Sequence, residues 1–200
     1  MRKFALPLLA ACALTSACAT PAYVSPVQVT RFVSESPAVL GQGTVQIAAA
    51  PGLDADSLQF SIYADAVSAE LRELGYAVVD QGAAQTAMVS IQNGIARGEG
   101  RRSPVSVGAG GSTGSYGSGV GVGVGINLGS LSGPPAERIE REMFVALQSN
   151  GMTTNLWEGR ATMVATTNSD YAADAAAAAR MADALFEDFP GNSGETIEID

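Results

Sequence analysis

The tightest constraint on this chain is the period-two alternation that runs from Arg138 to Thr166. Ile139, Arg141, Met143, Val145 and Leu147 fall on one side of an extended backbone, and Glu140, Glu142, Phe144, Ala146 and Gln148 on the other. Asn150-Gly151 then supplies residues that tolerate positive φ, and Trp157, Gly159, Ala161, Met163 and Ala165 line one side of a returning arm. The pattern predicts a long antiparallel hairpin with a loop of more than two residues. One face of it is too apolar to stay wet, so the rest of the chain must supply a cover.

Two covers are legible. Phe60, Tyr63, Val67, Leu71 and Leu74 recur at helical spacing, with Asp54, Asp56 and Ser57 as candidate N-caps and Gly75 as the C-terminal stop. After the hairpin, Asn168, Ser169 or Asp170 can cap a second helix through Asp188, whose inward side is Ala175, Ala178, Ala182, Leu185 and Phe189 before Pro190-Gly191 end it. Strands are expected over 27–33, 44–49, 76–80 and 86–97, with a last edge strand in 195–200. Residues 98–133 are rich in Gly and Ser: 98–117 reads as a flexible loop, and 119–128 alternates Gly with Val, Ile or Leu as a marginal edge strand with one sticky face. The resulting expectation is an α+β fold, a mainly antiparallel sheet with two helices packed on one face, carrying a glycine-rich insertion at 98–133 within a single domain over 27–200.

The N-terminus gives an address. Arg2 and Lys3 precede the apolar run from Phe4 to Leu14, which is too short to span a bilayer, and Thr15-Ser16-Ala17 are small residues before Cys18. This pattern resembles a bacterial lipoprotein signal over 1–17, with Cys18 the lipidated residue and 18–26 a Pro-punctuated tether. Cys12 offers a second register behind Leu9-Ala10-Ala11 but leaves a very short apolar core. Ala19 after the cysteine favours the outer membrane, facing the periplasm. Loss of Arg2 and Lys3 takes the net charge from −9 down by two to −11, and the remaining chain has no Lys, no His and no thiol besides the lipidated one. Such an acidic surface repels phosphate backbones and anionic headgroups, so nucleic acid is excluded as a partner and membrane contact is expected through the N-terminal lipid. The glycine tract contains no Gly-x-Gly-x-x-Gly and no P-loop lysine, which excludes a nucleotide.

Chemistry is limited by the same inventory. A general base would have to be a carboxylate or Tyr, and a metal site all-oxygen. Glu140 and Glu142 share a strand face, and Glu158 could lie across the hairpin from them, as an acid pair for glycosidic bonds or a weak Ca²⁺ site. The plainer reading is a solvated face with Arg138, Arg141 and Arg160 interspersed. Trp157 beside Gly159 and Arg160 could form a stacking platform for a sugar or peptide, or could be a core residue roofed by a helix. Arg97, Arg101 and Arg102 form the other place to meet an anion. No cofactor is expected.

Asn155-Leu-Trp-Glu-Gly-Arg-Ala, the Asp170 to Phe189 helix ending in Phe-Pro-Gly and the closing Gly194-Glu-Thr-Ile-Glu, with Leu71-x-x-Leu-Gly-Tyr, a short strand, Ala87-Met-Val-Ser-Ile and a Gly/Tyr-rich insert upstream of them, resemble the bacterial lipoproteins grouped as domain-of-unknown-function family 4136. The resemblance covers most of Val27 to Ile199. It implies an α+β domain on a lipid tether; it implies no activity of any kind, because none is established for the family. The family's usual Asp at the hairpin turn is replaced here by Ser149-Asn-Gly, so no site attaches to that turn. The function expected is a non-enzymatic envelope module that binds or assembles an envelope protein or glycan. The alternative is a carboxylate-dependent hydrolase of envelope glycan or peptide, and a self-associating structural role rests on the Val/Gly strand.

Overall fold

The computed structural model describes residues 20–35, 39–96, 105–114, 117–126, 136–152 and 154–200. Cys12, Cys18, the leader, and the Arg97, Arg101 and Arg102 cluster lie outside them. The chain divides into two units, Met1–Pro21 with Glu99–Pro135 and Ala22–Gly98 with Ala136–Asp200.

The second unit is α+β, with two helices and one seven-stranded sheet. Its elements are β1 (Val27–Val33), β2 (Thr44–Ala49), α1 (Leu58–Glu73), β3 (Ala77–Val78), β4 (Gln85–Ala96), β7 (Arg138–Ser149), β8 (Asn155–Thr166), α2 (Asp174–Phe186) and β9 (Thr196–Ile199). Across the sheet the order is β3-β2-β4-β7-β8-β1-β9. The hairpin β7–β8 lies at its centre, with Leu147 opposite Trp157, Val145 opposite Gly159 and Met143 opposite Ala161. A register shift falls between Leu147 and Gln148, and Gly151 turns with φ of 88°.

The sheet is mixed, which corrects the mainly antiparallel expectation. β2 runs parallel to both β3 and β4. The cause is α1: the helix carries the chain from the end of β2 back to the level at which β2 began, so the strands that follow run in the same direction. Hairpin-style patterning cannot reveal this, because a crossover and a hairpin leave the same alternation on each strand.

α1 forms where its caps allow. Ser57 Oγ accepts from the Phe60 N–H at 3.1 Å, and the chain leaves through Gly75 at φ of 99°, where an added Cβ would meet the Gly41 carbonyl oxygen at 3.2 Å. Tyr63, Val67, Ser68 and Leu71 are its buried side. α2 begins later than its sequence suggests, because a 3-10 turn over Asp170–Ala172 precedes it and Ala173 makes no side-chain cap. That shift rotates the buried side to Ala177, Ala178, Met181, Ala182 and Leu185, and leaves Ala175 exposed. Both helices join one core cluster with Val29, Val45, Val89, Met143, Leu147 and Trp157.

Tyr23, Val24 and Ser25, expected in the tether, continue the pairing along β8. Val24 bridges Ala165, and the Ser25 N–H donates to the Val164 carbonyl at 2.8 Å. The folded unit therefore starts upstream of β1.

In the other unit, β5 (Val105–Gly114) and β6 (Gly117–Ile126) form a separate antiparallel two-stranded sheet. The loop reading of this stretch missed β5, whose Val105, Val107 and Ala109 alternate with Ser and Gly as β6 does more openly.

Candidate functional site

One face of the seven-stranded sheet is roofed by the helices; the opposite face carries the polar side chains of the same strands. Register aligns them in rows. Gln92, Glu142, Thr162, Gln28 and Glu198 follow one another across β4, β7, β8, β1 and β9. A groove of about 550 Å³ lies along this row, lined also by Glu140, Asn93 and Tyr23. Gln28 Nε2 donates to Glu198 Oε1 at 3.1 Å, and in the next row Thr30 and Thr196 share a hydroxyl hydrogen bond of 2.7 Å. The strands that close the groove on one side are the first and last of the domain, so chain ends far apart in sequence build it together.

Beside the groove, Arg160 pairs with Glu142 at 3.1 Å and lies over the Phe144 ring with 5.8 Å to its centroid. A smaller depression of about 190 Å³ is formed there by Thr30, Phe32, Phe144, Glu158 and Arg160. Phe32 is 53% exposed at its rim.

The structure separates the glutamates that sequence grouped. Glu140 and Glu142 do share the groove, but Glu158 stands opposite Ala146, whereas Glu142 stands opposite Thr162. Four residues along a strand is roughly 13 Å, and Glu158 is held locally by a hydrogen bond from Asn155 Nδ2. The acid that joins the groove instead is Glu198, three strands from Glu142, hence about 14 Å away at strand spacing. That is too wide for a pair flanking one glycosidic bond. Among the described residues no group of three or more Asp, Glu, His or Cys could hold a metal ion.

Arg141 is not interspersed with these glutamates. It lies on the helix-covered face, 3% exposed, where its guanidinium donates to the carbonyls of Tyr171 at 3.0 Å and Ala172 at 2.7 Å and pairs with Asp174 at 3.0 Å. Arg31 does the same at the other end of α2, donating to the Leu185 and Ala184 carbonyls at 3.0 and 2.9 Å. Two buried arginines thus fix both ends of one helix onto the sheet. Burial pushes the Arg31 guanidinium below its ordinary pKa, with Asp188, Glu187 and Glu195 pulling the other way. The carbonyls that hold Arg31 are the last of α2, where the helix dipole favours a cation. The signal for both was an arginine at an inward position of an alternating strand.

Trp157 offers no platform. It is fully buried, stacked on Phe186 at 5.3 Å and 18°, with Phe189 tilted against it at 5.2 Å and its Nε1–H donating to the Pro190 carbonyl at 2.9 Å. Gly159 is what lets the ring lie flat along its own strand, since a Cβ there would fall inside the indole and 2.8 Å from Leu185. The Trp-x-Gly spacing is real, but it serves the core. No helix among the described residues is long and apolar enough to cross a membrane, which says nothing of a β-barrel.

No family model matches the chain, and no curated protein does. Among solved structures it is similar to a PDZ domain protein from Parabacteroides distasonis, at 11% identity and a TM-score of 0.48, covering 88% of this chain but 38% of that one. It is also similar to the PelC dodecamer from Paraburkholderia phytofirmans, at 10% identity and a TM-score of 0.37, covering 83% of this chain and 95% of that one.

Proposed function

We propose that this chain is a lipid-anchored module of the bacterial envelope, held at the outer membrane through Cys18 and facing the periplasm. Its role is to bind or assemble an envelope protein or glycan without catalysis. The glycine-rich stretch 98–133 is an insertion in that domain, and membership of family 4136 accords with the ordered motifs along the chain. The observation that carries the binding reading is the uncovered sheet face, where Glu140, Glu142 and Glu198 rim a groove floored by Gln28, Gln92 and Thr162. A groove with this acidic rim and amide floor suits a cationic or hydrogen-bonding segment laid across the strands. The hydrolase alternative requires two carboxylates flanking one bond; Glu158 and Glu198 are too far from Glu142 for that, so it would have to use Glu140 and Glu142, which stand two residues apart on one face of β7.

One experiment with two arms tests this. Fractionation of Cys18→Ala is expected to move the protein from the membrane to the soluble periplasmic fraction; release by Cys12→Ala alone would shift the anchor to Cys12. Titration with an oligolysine peptide, followed by amide NMR shifts, is expected to move the resonances of Gln28, Gln92, Glu142 and Thr162. The Glu140→Gln, Glu142→Gln, Glu198→Gln triple variant should bind about tenfold or more weakly. Unchanged affinity in the triple variant, or turnover of peptidoglycan that the triple variant loses, would overturn the binding reading.

A further inference from the structure

On the open face of the seven-stranded sheet the polar groove borders an apolar notch. Opposed residues of paired strands share a face, so the groove row Glu142–Thr162–Gln28 is followed by Phe144–Arg160–Thr30 and then by Ala146–Glu158–Phe32. Successive rows are two residues apart along each strand, about 6.6 Å. The depression of about 190 Å³ lies across the second and third of these rows, with the Phe32 and Phe144 rings among its walls. It is therefore centred roughly 10 Å from the groove row. Arg160 stands between the two, bonded to Glu142 on one side and lying over the Phe144 ring on the other.

A depression of this size admits one side chain rather than a ligand of its own, since pockets for small molecules start at about 300 Å³. Its rim holds an apolar ring in water, Phe32, and covering that ring with a second apolar or aromatic group is favourable. The groove asks for positive charge. Glu140, Glu142 and Glu198 line it, and of these only Glu142 is in an ion pair among the described residues.

One ligand meets both demands if it joins a cation and an apolar side chain by a short extended backbone. A glycan strand carries no apolar side chain to fill the notch. It also stacks along flat open rings, whereas guanidiniums already lie over Tyr23 and Phe144 here. A polypeptide in extended form sets side chains two residues apart on one side, about 6.6 Å, and the long stem of Lys or Arg spans the remainder. On the binding reading of the groove, we propose that its partner is an extended polypeptide segment with a basic residue and an aromatic residue two positions apart. The basic side chain enters among Glu140, Glu142 and Glu198, and the aromatic one is anchored against Phe32 and Phe144.

The test titrates the full-length chain with two blocked peptides of equal charge, Lys-Ser-Phe-Ser-Lys and Lys-Ser-Ala-Ser-Lys, followed by amide NMR shifts. The natural chain should bind the Phe peptide about tenfold tighter than the Ala peptide. Phe32→Ala should bind both with the natural chain's affinity for the Ala peptide, and its thermal melt should be unchanged because Phe32 is exposed. Glu140→Gln with Glu198→Gln should weaken both peptides alike and keep their ratio. Equal affinities of the two peptides for the natural chain, or a Phe advantage that survives in Phe32→Ala, would overturn the proposal and leave the groove reading standing. Binding of neither peptide, or binding that the Gln variant leaves unchanged, would overturn the groove reading and the proposal with it. Tighter binding of a bare peptidoglycan glycan strand than of the Phe peptide would assign the surface to a glycan and overturn the proposal alone.

Discussion

The two faces of the β7–β8 hairpin are built from the same strands and do opposite work. On the covered face, Arg141 has nearly all its polar capacity met by fixed groups, two carbonyls and Asp174, and Trp157 is closed over by Phe186 and Phe189. On the open face, Arg160 pairs with Glu142 while its own side chain remains 54% exposed. An inward position demands that every polar atom be satisfied, since desolvation without a partner is costly. An outward position tolerates loose pairing, because water fills what the partner leaves. The same residue type therefore anchors a helix at position 141 and is only loosely paired, half in solvent, at position 160.

The largest break in this contrast should come from the covered face. Trp157→Ala is expected to lower stability by about 4 kcal/mol, measured by urea unfolding, because it empties the site between β8 and α2 that Phe186 and Phe189 were packed to fill. A loss under about 1 kcal/mol would mean that the helix collapses freely onto Gly159.

A sharper probe is Tyr63, on α1, whose hydroxyl is buried with no hydrogen-bond partner among the described residues. Burial foremost pushes its pKa up to about 12, with Arg141 opposing and Asp174 adding to the rise. The raised folded-state pKa means that the unfolded chain ionises first. Its contribution is then fully present below about pH 10 and is lost as pH climbs through about 12, an effect of up to about 2–3 kcal/mol. Tyr63→Phe should leave the melt at pH 7 nearly unchanged and flatten the alkaline decline between about pH 10 and 12. An unaltered alkaline slope would show that the phenol ionises freely in the native fold.

The smallest effect belongs to the open face. Glu142→Gln should change stability by less than about 1 kcal/mol, because the pair it breaks is solvent-screened on the Arg160 side. It should still weaken oligolysine binding at the groove. A stability loss as large as that of Trp157→Ala would erase the distinction between the faces.

The sequence by itself determined the elements whose causes are local. The two faces of the hairpin follow from side chains alternating along an extended backbone, and α1 follows from a helical apolar spacing bounded by Ser57 and Gly75. It also bounded the chemistry, since an inventory without His, and with Lys only at Lys3, holds in any fold. What only the tertiary structure decided depends on groups distant in the chain. The parallel placement of β2 between β3 and β4 came from the path of α1, which no strand's own pattern encodes. Glu198 joined Glu140 and Glu142 because β9 pairs with β1, and Glu158 left them because the hairpin register set it opposite Ala146. Trp157-x-Gly159 could have exposed a ring or buried one, and the packing of α2 above β8 buried it. Periodicity fixes which side of a strand a residue is on, whereas pairing and packing fix what stands beside and above it.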